Sequence, residues 1–79
     1  MPRFYFHLIN DMDVSDLEGA ELPDLGAARA RAIEQARGMI GEVIKTEARI
    51  VLSHRIDIED EEGRVLDRVV FRDIIRVEG

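Results

Sequence analysis

Apolar residues alternate at the start of the chain. Phe4, Phe6 and Leu8 fall on one side of an extended segment, and Tyr5, His7 and Ile9 on the other. Period 2 with aromatic enrichment predicts a strand over residues 3–9. Both sides carry apolar bulk, so this strand is expected in the middle of a sheet. From Leu25 to about Thr46 the period becomes 3.6. Leu25, Ala28, Ala32, Ile33, Ala36, Met39, Ile40, Val43 and Ile44 gather on one helical face, while Arg31, Glu34, Arg37, Glu42 and Lys45 lie opposite. Asp24 stands at the N-cap position behind Pro23, where a carboxylate accepts from free helix N–H groups.

Alternation returns at Leu52–Glu59, with Ile56 and Ile58 inward and Arg55, Asp57 and Glu59 outward. It resumes at Arg64–Arg72, with Val65, Val69 and Phe71 inward. For inward residues to share a face, opposed positions must sum to an odd number. A four-residue loop, Asp60–Gly63, meets that condition with Gly63 in the left-handed region. The same register puts Asp67 on the inner face. Residues 20–22 are expected to add a short edge strand, and residues 73–79 to extend the last strand or form another. The pattern specifies one α+β domain over residues 1–79, with a three- to four-stranded antiparallel or mixed sheet and one long helix on one face.

Composition narrows the function classes. The chain has 79 residues and no cysteine, which leaves no disulfide or Cys/His zinc site to support a small core. Net charge is −6, a balance that opposes binding to phosphate backbones or anionic lipid. No apolar run is long enough to span a membrane. The Met-Pro-Arg-Phe-Tyr-Phe-His opening lacks the pattern of a signal peptide. A cytoplasmic protein is expected.

The stretch NDMDVSDLEGAELPD, residues 10–24, contains six acids. A helix–loop–helix calcium site begun at Asp11 would have oxygens at Asp11, Asp13 and Ser15, but Asp16 replaces its glycine and Leu22 its closing glutamate. Local Asx turns leading to the Asp24 cap are the expected role. His7 and His54 lie on expected strands. Ser53, a histidine and Asp57 have no nucleophile elbow or oxyanion loop around them. No catalytic residue, cofactor or metal ligand is assigned. Arg29, Arg31 and Arg37 on the helix are candidates for nucleic-acid contact. Ala27, Ala30, Gly38 and Gly41 form a small-residue strip on the helix's outer side.

The segments MPRFYFH, DLEGAELPDLGAARARAIEQAR and DEEGRVLDRVVFRDIIRVE together resemble a family of short bacterial proteins of unknown function, common in rhizobia and related alphaproteobacteria. The resemblance implies a small bacterial α+β domain and no assigned activity; Asp67 departs from the apolar residue expected there. One helix covers one sheet face, so the other is the candidate interface. That expectation rests on Tyr5, Leu66 and Val70, with Arg68 and Arg72 at the rim. The leading reading is a non-enzymatic, self-associating interaction or regulatory module, expected as a homodimer. A nucleic-acid-associated regulator is the alternative, by analogy with small antitoxin domains that pair a sheet with one helix. A small hydrolase ranks third.

Overall fold

Four strands form one antiparallel sheet: β1 (Arg3–Ile9), β2 (Ala20–Glu21), β3 (Arg55–Glu59) and β4 (Val65–Val70). Their order is β2-β1-β3-β4, so β1 occupies the interior position its two-sided apolar pattern requires. A computed structural model describes residues 1–79. One long helix, α1 (Leu25–Glu47), crosses one face, and a single helical turn, α2 (Phe71–Ile74), follows β4.

The helix begins where expected. Asp24 is extended, and its Oδ1 accepts from the Ala27 N–H at 2.8 Å. At the other end Ala48 takes a left-handed conformation, φ 54°, and its N–H donates to the Ile44 carbonyl. The stripe on the sheet is mainly alanine: Ala28, Ala32 and Ala36 are fully buried, with Ile40 one turn beyond. Their small side chains bring the helix backbone close to the sheet. The larger volume comes from Phe4, Phe6, Ile56, Ile58 and Val69 opposite.

A 23-residue helix is about 34 Å long, whereas a seven-residue strand spans about 23 Å. The C-terminal part of α1 therefore overhangs the sheet. This overhang corrects the expectation for Ile44, which is 48% exposed instead of inward in the core. The overhang also opens a cleft above residues 49–54.

Opposed residues of β3 and β4 sum to an odd number from Arg55↔Val70 to Ile58↔Asp67, as required to align the apolar faces. The loop differs from the expected four residues. Asp60 and Arg64 pair, the Asp60 N–H donating to the Arg64 carbonyl, so the loop is Glu61–Gly63, with Gly63 at φ 80°. A bulge between Ile58 and Glu59 then restores the parity. It sets Val65 opposite Glu59, so Val65 leaves the core face and is 42% exposed.

Two strand boundaries are also corrected. β3 starts at Arg55, because residues 51–54 turn back from the helix and the His54 N–H reaches the Val51 carbonyl. β4 stops at Val70, and residues 71–74 form α2 rather than more strand. Phe71 and Ile74, three apart, are both buried, which is helical spacing. The Arg37 Nε donates to the Ile74 carbonyl at 3.0 Å and satisfies that helix end.

Candidate functional site

The acid-rich segment proves to be an edge cover for β1. Leu8 and Val14 exchange backbone hydrogen bonds of 2.9 and 2.8 Å. Two residues earlier, the Phe6 N–H donates to Asp16 Oδ2 at 3.1 Å, so a carboxylate takes the position of a missing strand. The other oxygen, Oδ1, accepts from the N–H groups of Glu18 and Gly19. Burial would raise the Asp16 pKa, but hydrogen bonds from Gly19, Phe6 and Glu18, with His7 nearby, hold it below its ordinary value. Gly19 is required where the segment passes β1: φ is 68°, and a Cβ would lie 2.8 Å from the Phe4 carbonyl oxygen. Asn10 Oδ1 accepts from Met12 and Asp13, and Asp13 Oδ1 from Asn10. The Asx-turn reading therefore describes this segment.

The uncovered face of the sheet is a polar network. Cross-strand rows place Tyr5 with Glu59, His7 with Asp57 and Arg68, and Ile9 with Arg55 and Val70. His7 Nδ1 accepts from the Asp16 N–H at 3.0 Å, so its hydrogen resides on Nε2, 3.4 Å from Glu59 Oε1. Tyr5 stacks on the imidazole, the ring planes 7° apart. Asp57 is only 5% exposed although no helix covers it. The side chains of Arg55, at 2.8 Å, and Arg68, at 3.5 Å, enclose it. The hydrogen bond to Asp57 raises the Arg55 pKa further.

Of the five expected interface residues, Tyr5, Arg68 and Val70 share this face. Leu66 sits at the bulge, 40% exposed. Arg72 belongs to α2 and leaves the sheet; its N–H donates to the Leu52 carbonyl. On the inner face Asp67, opposite Ile58, pairs with Arg29 at 2.7 Å. That ion pair accounts for a charge where an apolar residue was expected. Nothing lies within 4 Å of a Cβ built at Gly38 or Gly41, so that part of the small-residue strip faces open space.

Sequence reasoning missed the cleft under the α1 overhang. It has a volume of about 280 Å³ and adjoins a depression of about 220 Å³ through shared walls at Asn10, Val43, His54 and Phe71. His54 lies edge-on to Phe71, with ring centroids 6.0 Å apart. Its Nε2 is 3.6 Å from Asp11 Oδ1, and Arg49 Nη2 is 3.7 Å from Asp11 Oδ2. Ser53 lies in the exposed 52–53 turn, and both histidines face carboxylates and backbone instead of a hydroxyl. No helix is long and apolar enough to cross a membrane.

A family model described as Domain of unknown function (DUF6894) matches residues 3–72. No curated protein and no solved structure matches the chain.

Proposed function

The chain belongs to the DUF6894 family of domains of unknown function, and from that starting point we propose that it is a non-enzymatic, self-associating interaction module of the bacterial cytoplasm. The observation that carries this reading is the one-sided sheet. α1 covers one face, while the other holds ordered side chains around Asp57 with Tyr5, Ile9 and Val70 half-buried among them. Surface area supports it. The chain exposes 5427 Å², against about 4,900 Å² for a compact monomer of its 9.0 kDa mass. Its radius of gyration is 12.8 Å, against about 11.6 Å for a compact chain of this length. Arg68 is largely exposed and Glu59 partly so on this face, so a two-fold contact can set Arg68 of one copy against Glu59 of the other.

The nucleic-acid reading loses support from α1, because Arg29 and Arg37 are engaged with Asp67 and Ile74, which leaves the exposed Arg31 alone of the three candidates. Sedimentation equilibrium tests the proposal. The parent is expected to dimerise at tens of micromolar, Val70→Glu to be a folded monomer, and Gly41→Leu to dimerise like the parent. A monomeric parent overturns the proposal. Dissociation by Gly41→Leu alone moves the interface to the helix and also overturns it.

A further inference from the structure

We propose that the cleft under the α1 overhang binds a small carboxylate with an apolar body, such as an aryl- or branched alkyl-alkanoate. Its carboxylate would take the place that Asp11 holds between Arg49 and His54. The cleft is about 280 Å³, the size class of a small organic ligand. Its walls divide by chemistry. Ile40 and Phe71, both buried, form the floor with Val43 and Ile50. Polar groups collect at the mouth.

Glu47 also lines the cleft and Glu42 the adjoining depression, so the place suited to an anion is confined to the point where Arg49 and His54 meet. Arg49 Nη2 and His54 Nε2 converge on opposite oxygens of one carboxylate, that of Asp11. At 3.7 and 3.6 Å neither contact is a hydrogen bond, so Arg49 keeps its capacity for a closer acceptor, as does His54 in the form that carries its hydrogen on Nε2. Asp11 belongs to an exposed turn, with its side chain 78% exposed, and yields this position without disturbing the core. His54 is 19% exposed and held against Phe71, so the donor that stays is the ordered one. A carboxylate bound there forms charge-assisted bonds to Arg49 and His54 while its hydrocarbon covers Val43 and Phe71. This site is separate from the open sheet face, and its failure leaves the self-association proposal standing.

The test is an amide NMR titration of the intact chain with 3-phenylpropionate to about 10 mM, a range suited to a ligand this small. The neutral 3-phenylpropan-1-ol and the cationic 3-phenylpropylamine serve as comparators. Saturable shifts are expected at residues 10–12, 43–54 and 71 with the carboxylate, and at least about tenfold weaker binding with either comparator. Arg49→Gln is expected to weaken binding about tenfold. Asp11→Asn, which removes the internal competitor, is expected to tighten it about threefold or more. Both side chains are more than half exposed, so the variants keep the fold. Non-saturating or scattered shifts, equal binding of alcohol or amine, or unchanged or weaker binding by Asp11→Asn overturns the proposal.

Discussion

Replacing Asp16 by alanine tests the idea that a side chain substitutes for a strand along β1. The substitution removes three acceptor contacts, each 3.1 Å long, from the N–H groups of Phe6, Glu18 and Gly19. The contacts to Phe6 and Gly19 are partly buried, and the one to Glu18 is exposed. Water replaces the exposed contact at little cost. Each partly buried N–H that loses a charged acceptor costs about 1–1.5 kcal/mol, so Asp16→Ala should cost about 2–3 kcal/mol. A domain of this size holds roughly 4–12 kcal/mol in total, so the loss is a large share. Asp16→Asn retains one carbonyl oxygen, and about half the penalty is expected. Urea unfolding at neutral pH should show a lower midpoint with an unchanged slope, and the Phe6 amide should exchange faster relative to Ile58. The folded pKa of Asp16 is depressed. Its contribution is therefore fully present above the unfolded aspartate value, about 3.9, and is lost as pH falls through the lower folded value. The difference between parent and Asp16→Ala should shrink below about pH 4. An unchanged midpoint at neutral pH, or a difference that persists undiminished in acid, would refute the reasoning.

Asp24→Ala should lower stability by about 0.5–2 kcal/mol by removing the acceptor of the Ala27 N–H; an unchanged urea midpoint would place the effective cap elsewhere. Ala48→Gly should raise stability by about 0.5–1 kcal/mol, because φ is 54° at the helix terminus; a lower melting temperature would contradict this. Calcium at micromolar to millimolar levels should give no saturable amide shifts at residues 11–16. Asp13 and Asp16 already accept backbone hydrogens, and Leu22 stands where a closing carboxylate is needed. Saturation in the micromolar range would overturn that assignment.

The long elements were legible because their periodicity reports burial directly. Phe4, Phe6 and Leu8 required a strand, and the alanine and isoleucine spacing required a helix from Leu25. The register of β3 and β4 followed from matching the faces of Ile56, Ile58 and Val69. Loop length did not, since a three-residue loop with a bulge and a four-residue loop meet the same parity rule. α2 went unread because Val69 and Phe71 continue the strand alternation. The competing signal was the three-residue spacing of Phe71 and Ile74. The cleft was not legible, since it arises from a length mismatch between α1 and the sheet and gathers residues 10–12, 40–54 and 71. The open face was located for Tyr5, Arg68 and Val70 but not for Leu66, which the bulge displaces, or Arg72, which belongs to α2, and its character was not legible. Alternation identifies which residues face out, but not that two arginines would fold over Asp57.

The placement of Asp16 limits how far this fold can polymerise. Strand-to-strand growth requires a free row of backbone groups on both flanks of the sheet. Along β1 that row is consumed by Val14, the Asp16 carboxylate and the two residues of β2. Only β4, at the other end of the order, presents an open strand edge longer than two residues to a newcomer, and the bulge at Leu66 interrupts it. Addition there would use up the last flank of both participants and terminate after one step. The chain is thus built against fibre growth: its negatively charged stopper restricts strand-mediated assembly to closed pairs.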